Sequence, residues 1–404
     1  MKQDVKWIVN GMLGKPEKVA IDFLSKKEIQ KAKQFHESFP EYSPTPLESL
    51  EDLAKYLGVA GVYVKDESYR FGLNAFKVLG GSFAIVKYLA QRLGKDISQL
   101  DYHTLISAEI RKELGQITFA TTTDGNHGRG VAWTAKVLKQ KAVVYMPKGS
   151  SLTRLNNIKA EGAEAYITEL NYDDTVRLTA EHAKKNGWVV VQDTAWQGYE
   201  EIPVWIMQGY GTMAAEALEQ LQHIKIEKPT HIFIQAGVGS LAGAVQGYFA
   251  SVFGEESPKV IIVESDQADC LYQSILANDG KPHHVAGDLS TIMAGLACGE
   301  PNTISWEVLR DYSSVFVSCP DWVAARGMRI LGNPLAKDCR VISGESGAVT
   351  AGLVVSIMKS EHLKGVKDIL GLNENSKILL FSTEGDTDPD QYRSIVWDGE
   401  YPGK

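Results

Sequence analysis

The stretch "ITFATTTDGNHGRGVAWTAKVLKQKAVVYMP", residues 117–147, decides the fold class. Its apolar ends predict two strands, and the amphipathic segment "GVAWTAKVLKQ" between them predicts a helix. The same alternation continues through "SLTRLNNIKAEG", "AEAYITEL", "DDTVRLTAEHAKKNG" and "WVVVQDTA". Apolar strands that alternate with amphipathic helices are typical of a parallel sheet covered by helices on both faces. The stretch therefore predicts an α/β protein.

A second run of the same kind follows toward the C-terminus. It begins with the helical segment "WIMQGYGTMAAEALEQLQ" and continues with strand "THIFIQAG", helix "LAGAVQGYFASVF" and strands "KVIIVES" and "KILLFSTEG". Ahead of residue 117 we expect a helix in "LESLEDLAKYLG", a strand in "GVYVKDES" and a helix from about Asn74 onward. Together the runs predict two open, mostly parallel sheets flanked by helices, with a domain boundary near residues 205–215.

Composition narrows the partners of this 404-residue chain. Its net charge is −8, and no apolar run approaches the roughly 18 residues of a membrane span, so we expect a small-molecule ligand with no nucleic acid and no membrane. The N-terminal stretch lacks the apolar core of a signal peptide, which favours the cytoplasm. Four cysteines without zinc-site spacing predict reduced thiols and no metal. They are Cys270, Cys298, Cys319 and Cys339.

The segment "KDESYRFGLNAFKVLGG", residues 65–81, contains the first candidate reactive residue. Asn74 is a plausible N-cap, which would place Lys77 in the first turn of a helix, where the helix dipole lowers the pKa of an amine. Such a lysine suits a Schiff base with a carbonyl cofactor. An exposed helix lysine is the alternative. The adjacent Gly80 and Gly81 weaken that alternative because they cost helix stability and indicate a close neighbour.

The segment "QAGVGSLAG", residues 235–243, lies between a predicted strand and a predicted helix. Its glycines and the helix start would present backbone N–H groups and a positive dipole end to a phosphate. Gly237, Gly239 and Gly243 also come close to the dinucleotide fingerprint, and Glu264 stands at about the distance of a ribose-binding acid. An NAD-dependent dehydrogenase and a plain tight turn are therefore both open alternatives for this segment.

Two further loops follow predicted strands. In "TTTDGNHG", the hydroxyls of residues 121–123 and the following N–H groups would bind a substrate carboxylate, with Asn126 beside them. A solvated turn is the alternative, and His127 is expected to be a buried core residue. In "STEGDTD", Ser382 or Thr383 would offer a neutral hydroxyl to a ring nitrogen, or would only cap the strand end.

Together, the four motifs resemble those of the fold type II family of pyridoxal phosphate enzymes, which includes the serine and threonine dehydratases. The resemblance implies pyridoxal 5'-phosphate as cofactor, with Lys77 as the Schiff-base lysine. It also implies a large cofactor-binding domain of residues 1–79 and 206–404, a smaller substrate-loop domain of residues 80–205, and an active site between the two.

The same resemblance assigns the other site residues. Asn126 would contact the phenolic oxygen of the cofactor, and Thr383, with Ser382 as the alternative, would face the pyridine nitrogen. The implied phosphate loop is Gly237, Val238, Gly239, Ser240 and Leu241. The implied substrate-binding loop is Thr122, Thr123, Asp124 and Gly125.

Longer segments, among them "TIMAGLACGEPN" and "ISGESGAV", resemble the diaminopropionate ammonia-lyases within this family. That resemblance implies an α,β-elimination that converts 2,3-diaminopropionate to pyruvate and two ammonia molecules, through an external aldimine and an aminoacrylate. Asp124 stands where the wider family usually has a small neutral residue, and its charge complements the second ammonium of this substrate. The resemblance implies that Lys77 deprotonates the L isomer and Asp124 the D isomer.

The remaining acidic residues have less specific assignments. Asp193, in "VVVQDTAWQGY", is expected to contact the distal amine of the substrate, or else to cap the next turn. Glu345 would line the cofactor, while Tyr172 and Asp173 would only cap a helix. A serine or threonine dehydratase is the alternative within the family, and a catalytically silent binding protein is a third reading. The resemblance also suggests a homodimer.

Overall fold

The computed structural model describes residues 4–14 and 17–403, which form two sheets flanked by helices. The strands are β1 Lys6–Val9, β2 Leu47–Ser49, β3 Gly61–Asp66, β4 Thr118–Thr122, β5 Lys141–Met146, β6 Glu164–Ile167, β7 Val189–Val190, β8 His231–Gln235, β9 Lys259–Ser265, β10 Val315–Cys319 and β11 Lys377–Ser382. The helices are α1 Lys26–Glu37, α2 Glu51–Leu57, α3 Val78–Leu93, α4 Tyr102–Ile106, α5 Ala108–Leu114, α6 Asn126–Val137, α7 Leu152–Ala160, α8 Tyr172–Asn186, α9 Glu201–His223, α10 Ser240–Phe253, α11 Cys270–Ala277, α12 Thr303–Tyr312, α13 Asp321–Gly332, α14 Glu345–Lys359, α15 Lys364–Leu370 and α16 Pro389–Val396.

The larger sheet has seven strands in the order β1-β10-β9-β8-β11-β3-β2. Its five inner strands are parallel to one another, whereas the two edge strands β1 and β2 pair antiparallel to their neighbours. Every residue of β3, β8 and β10 is buried, as expected for strands covered by helices on both faces. The predicted mostly parallel α/β fold is therefore confirmed.

The smaller sheet has four parallel strands in the order β6-β5-β4-β7. All four fall inside the predicted substrate-loop segment, residues 80–205, and the seven strands of the larger sheet fall outside it. The exact domain boundaries stay a prediction. In both sheets the carboxyl ends of the parallel strands lead into the loops that contain the motifs, which is where ligands bind in folds of this class.

Two local predictions were wrong. The backbone of Asn74 is left-handed, with φ of 59°, and its side chain donates to Asp386 Oδ1 at 3.2 Å, so it does not cap α3. That helix begins at Val78, with Lys77 in the preceding position. The segment "LESLEDLAKYLG" divides into β2 and α2, because residues 47–49 pair with β3 across the edge of the larger sheet. Such pairing depends on a distant segment, which a local pattern does not reveal.

The two glycines after Lys77 have close neighbours, as predicted: Gly80 allows α3 to pack closely against α9, and Gly81 faces Val131 of α6. A Cβ on Gly80 would lie 2.5 Å from Cε1 of Tyr210, and a Cβ on Gly209 would lie 2.3 Å from the Leu79 carbonyl oxygen. Either contact is far inside van der Waals range, so both positions require glycine. This close approach fixes the start of α3, and with it Lys77, against α9.

The predicted free thiols are confirmed, since all four cysteines are unpaired. Within residues 4–14 and 17–403, no helix is long and apolar enough to cross a membrane. The N-terminal stretch that favoured the cytoplasm includes residues 1–3 and 15–16, which lie outside the described ranges.

Candidate active site

A cavity of about 570 Å³ lies between the loops of the two sheets. Its walls come from the segment before α3, from the loops after β4, β5, β8 and β11, and from residues 288–298. This volume is in the range of small-molecule and cofactor sites. The predicted site residues among its lining are Lys77, Asp124, Asn126, Asp193, Gly237, Val238, Gly239, Ser240, Leu241 and Thr383.

Lys77 is directed into this cavity and pairs with Asp193. Its Nζ donates to Asp193 Oδ2 at 2.9 Å, and 17% of the lysine side chain is exposed. Ser240 Oγ donates to the Asp193 carbonyl at 2.6 Å, so the first residue of α10 holds the acidic residue in place. His127, at 3.9 Å from Asp193 Oδ2, is fully buried as predicted, and its Nε2 pairs with the Val191 carbonyl.

The expected low pKa of Lys77 was wrong for the free amine. Burial alone would lower the pKa, but the negative charges of Asp193 and Asp124 outweigh burial and raise it well above its ordinary value. The positive charge of Lys77 likewise overcomes the effect of burial on Asp193 and lowers the pKa of that carboxyl to about 2. The pair is therefore an ammonium–carboxylate ion pair at neutral pH.

Asp124 lies on the loop between β4 and α6. Its side chain is 22% exposed, and its Oδ2 is 4.0 Å from Nη1 of Arg154. The following Gly125 has φ of 155°, and a Cβ there would lie 2.9 Å from Cδ of Arg154. The loop therefore needs glycine at this position both for its backbone conformation and for the arginine that packs over it.

The threonines before Asp124 support the loop from beneath. The Thr122 hydroxyl pairs with Thr179 Oγ1 at 2.7 Å and with the Thr175 carbonyl at 3.2 Å, both in α8. Thr123 Oγ1 accepts from the Gly125 N–H at 2.9 Å. Neither threonine is among the cavity-lining residues of the described chain, and neither is Gly125. In this conformation the Thr122 hydroxyl is used in packing against α8, and the predicted contacts of Thr122, Thr123 and Gly125 with substrate stay predictions.

The loop before α10 fits the phosphate of the expected cofactor. Gly239 has φ of 99°, and a Cβ on Gly237 would lie 3.1 Å from the Gly295 carbonyl oxygen, so both positions favour glycine. The first turn of a helix leaves its backbone N–H groups without acceptors inside the helix. Those of α10 begin at the cavity wall, where they and the helix dipole can bind an anion.

Other residues of the cavity wall offer polar groups suited to an aromatic ring with a nitrogen and a phenolic oxygen. Gln235 Nε2 donates to Thr383 Oγ1 at 2.8 Å, which leaves the threonine hydroxyl hydrogen for another acceptor. Thr383 lines the cavity, whereas the alternative Ser382 does not. Asn126 Nδ2 donates one hydrogen to Glu384 Oε2 at 2.5 Å and keeps a second for a ligand. The residues present thus fit pyridoxal phosphate.

Several lining residues were not found by the sequence reasoning. Arg154 comes from α7, and the Tyr210 hydroxyl from α9 is buried without a hydrogen-bond partner in the described part of the chain. Tyr172 does not cap α8, since Asn171 does; its hydroxyl accepts from Gln192 Nε2 at 2.9 Å at the cavity wall. No local motif marks such residues. For these residues, the available signal of a role in the site was a buried polar side chain on a predicted helix.

Two acidic residues had contrasting outcomes. Glu345 lines the cavity as expected, and burial together with the negative charge of Glu384 raises its pKa to about 7. Glu264, the candidate ribose acid, is fully buried and accepts from the backbone N–H groups of Leu271 and Tyr272 at 2.8 and 2.7 Å. It caps α11 and cannot reach a dinucleotide in the cavity, so the dehydrogenase alternative loses its acidic residue. Among the described residues, no group of three or more His, Cys, Asp or Glu is arranged for a metal.

Comparison with known proteins agrees with this geometry. The sequence profile of a family described as "Pyridoxal-phosphate dependent enzyme" matches residues 39–373. The chain is 55% identical to a diaminopropionate ammonia-lyase from Salmonella typhimurium over 90% of its own length and 91% of that protein. An L-threonine dehydratase from Pasteurella multocida is 26% identical over 87% of this chain and 60% of that protein.

A solved structure extends the match to three dimensions. The structure of the Escherichia coli diaminopropionate ammonia lyase in complex with D-serine superposes with a TM-score of 0.92 at 48% identity, covering 99% of this chain and 98% of that one. The family profile spans most of the described chain, and its cofactor fits the cavity that the two sheets enclose. This chain therefore belongs to the pyridoxal-phosphate dependent enzyme family.

Proposed function

We propose that this protein eliminates ammonia from the D and L isomers of 2,3-diaminopropionate and releases pyruvate and a second ammonia. The observation that carries the proposal is one cavity in which Lys77, paired at 2.9 Å with Asp193, lies with a second proton acceptor, Asp124. The 55% identity to a diaminopropionate ammonia-lyase supports the same substrate.

Pyridoxal phosphate, when bound, withdraws electrons from the α-carbon of an amino acid and so makes the α proton acidic. In the proposal, the backbone of Gly237, Val238, Gly239, Ser240 and Leu241 holds the phosphate. Asn126 donates to the phenolic oxygen, and Thr383 offers its hydroxyl to the ring nitrogen. A neutral hydroxyl at that nitrogen does not force ring protonation, which suits prompt elimination.

Lys77 would hold the cofactor covalently in the resting enzyme, and as the neutral amine freed from that bond it would remove the α proton of the L isomer. Asp193 accepts a hydrogen bond from the lysine amine and so fixes the direction from which that amine approaches. In this position the Asp193 carboxylate can also act as an acidic contact for the amines of the substrate. Its direct contact with the distal amine stays a prediction.

Asp124 removes the α proton of the D isomer in this proposal. Its carboxylate lies on a different element from Lys77, because it follows β4 whereas the lysine precedes α3. The substrate carboxylate is then held by the β4–α6 loop through Thr123 and Gly125. Thr122 supports that loop through α8.

Turnover with four substrates tests the proposal. Purified holoenzyme is incubated with D- and L-diaminopropionate, L-serine and L-threonine, and pyruvate, 2-oxobutyrate and ammonia are measured. We expect pyruvate from both diaminopropionate isomers and two ammonia molecules for each pyruvate. Faster release of products from serine or threonine would instead make the chain a dehydratase. No product from any of the four would favour a silent binding protein.

The proposal extends to assembly and location. We infer a homodimer that acts in amino acid catabolism in the cytoplasm, from the similarity to the diaminopropionate ammonia-lyases. Light scattering coupled to size-exclusion chromatography should give about twice the mass of 44.4 kDa expected for one chain. A single-chain mass at micromolar concentration would contradict the dimer.

A further inference from the structure

Two buried carboxyl groups in the cavity have no part in the roles assigned so far. Glu345 begins α14 and Glu384 follows Thr383 after β11, and their side chains are 4% and 3% exposed. The Gly344 N–H donates to the Glu384 carbonyl at 2.9 Å, which ties the start of α14 to that loop. Both glutamates therefore face the cavity from adjoining segments.

The polar groups around this pair are not fully satisfied. Glu384 Oε1 is buried without a hydrogen-bond partner in the described ranges, although its Oε2 accepts from Asn126. The Nε of Arg154, which also lines the cavity, is likewise buried and unpartnered there. Buried polar atoms in folded proteins are nearly always hydrogen-bonded. An unfilled carboxylate oxygen at a cavity wall therefore indicates a ligand with N–H donors.

The location of the pair relates it to the reacting carbon. Ser346 Oγ accepts from the Gly295 N–H at 3.2 Å, and a Cβ on Gly295 would lie 3.0 Å from that oxygen and 3.8 Å from Asp124 Oδ2. Gly295 thus lies between the first turn of α14 and the proposed base Asp124. When the α-carbon of the substrate lies at Asp124, the side chain of the substrate lies next to the start of α14.

The electrostatic surroundings allow one glutamate to carry a proton. Two carboxyl groups that share a site do not ionise together readily, because each negative charge opposes the other. Burial and Glu384 raise the pKa of Glu345, while the cation Arg154 opposes that rise. A protonated Glu345 can then supply a proton to a neutral amino group that lies at this wall of the cavity.

We propose that Glu345, which lines the cavity together with Glu384, is the acid that protonates the distal amino group of diaminopropionate as that group leaves. This inference rests on the proposed function. A base takes the α proton, and the Cα–H electron pair forms the Cα–Cβ double bond. The Cβ–N bond breaks with its electrons on nitrogen, which takes the Glu345 proton. Ammonia departs, and Glu345 is left as a carboxylate that solvent reprotonates.

The test compares two leaving groups in the same enzyme. The distal amino group of diaminopropionate must take up a proton to leave as ammonia, whereas the chloride of β-chloroalanine leaves without a proton. Glu345→Gln should lower the initial rate of pyruvate formation from L-diaminopropionate by about 10²-fold, the lower end of the contribution of a positioned acid, and should leave the β-chloroalanine rate within about threefold of wild type. Glu345→Asp should recover part of the lost rate.

Two controls separate this role from a structural one. Cofactor affinity, measured by titration of the visible absorbance, should be the same in wild type and Glu345→Gln. Glu361→Gln, at an exposed glutamate shortly after α14, should change neither substrate rate. An equal loss on both substrates, or weakened cofactor binding, would overturn the role of Glu345. Absence of diaminopropionate turnover in wild type would instead overturn the proposed function itself.

Discussion

Two clusters of buried charge in this protein differ in how completely their hydrogen bonds are formed. Beneath α9, both carboxylate oxygens of Glu216 accept from Arg70 at 2.8 Å, and Lys65 donates to one of them at 2.7 Å. The other side of Arg70 pairs with Glu67. In the cavity, by contrast, Arg154 Nε, Glu384 Oε1 and the Tyr210 hydroxyl have no partner in the described residues.

The difference distinguishes a cluster that stabilises the fold from a cluster that is expected to bind ligands. A buried ion pair offsets its desolvation only when the remaining hydrogen bonds are also formed, as they are around Glu216. Groups left unpaired cost stability, and a fold retains them where a ligand completes the set. The saturated cluster joins β3 to α9, the helix whose glycine receives the start of α3. The unsaturated cluster is where substrate and cofactor are expected.

The largest effect should come from breaking the saturated cluster. Glu216→Gln leaves Arg70 and Lys65 buried with less negative charge, and should lower the free energy of unfolding by about 3–5 kcal/mol. Urea unfolding followed by circular dichroism measures this change. Glu219→Gln is the matched control, because the Glu219 side chain is 45% exposed and its ion pair with Lys33 contributes at most about 1 kcal/mol. Similar losses in the two variants would remove the distinction between the clusters.

The equivalent change in the cavity should affect activity instead of stability. Asp193→Asn removes the anion that holds Lys77, and should lower kcat for L-diaminopropionate by about 10²-fold, as expected when a proton-transfer group loses its orientation. The midpoint of urea unfolding should change much less than in Glu216→Gln. A variant that unfolds as readily as Glu216→Gln would place Asp193 among the structural charges.

A third change tests the division of labour between the two bases. Asp124→Asn should reduce kcat/KM for D-diaminopropionate by about 10²-fold, as expected when a general base is removed. The L isomer should retain much of its rate, because Lys77 is unchanged. The two isomers are measured in parallel with one enzyme preparation. An equal loss on both would contradict the two-base arrangement.

Low pH should lower the stability of the protein through His36, which lies near Arg70 of the saturated cluster. Burial, with Arg70 nearby, lowers the pKa of this histidine to about 3, so the unfolded chain binds its proton at a higher pH than the folded chain. Stability must then rise with pH, and His36 should cost about 1.5 kcal/mol as pH falls from 6.5 to 5. Urea unfolding of wild type and His36→Gln at both pH values measures the difference. Parallel pH dependences would contradict this prediction.

The smallest effect is expected at Thr122. Thr122→Val removes the hydrogen bonds of its hydroxyl to α8, and should cost about 1 kcal/mol of stability. KM for diaminopropionate should not change, because the hydroxyl is directed away from the cavity. A raised KM with unchanged stability would return Thr122 to the substrate loop.

The sequence predicted those features that are encoded in consecutive residues. The alternation around β4 and α6 indicated the parallel sheets, and the glycines after Lys77 indicated a close neighbour, which is Tyr210. The glycine loop before α10 was also predicted from one run of residues, and it lines the cavity, while its binding of a phosphate stays a prediction. In each case the physical requirement and the sequence signal occupy the same short segment.

Features that depend on distant pairing were missed. Arg154 reaches Asp124 from α7, and Glu384 meets Asn126 across 258 positions of the chain. The pKa of Lys77 was misjudged because the helix dipole is local, whereas Asp193 comes from 116 residues away. The antiparallel edge strand β1 pairs with β10 near the other end of the sequence. Nothing in the local composition specifies these contacts.

The central claim is that Lys77 carries the cofactor, and covalent trapping tests it most directly. Holoenzyme is reduced with borohydride, which fixes a lysine-bound cofactor permanently, and the digested protein is mapped by mass spectrometry. We predict a single pyridoxyl label, on the peptide that contains Lys77, and none on Lys77→Ala treated in the same way. A label on another lysine, or an unlabelled Lys77 in active enzyme, would contradict the account.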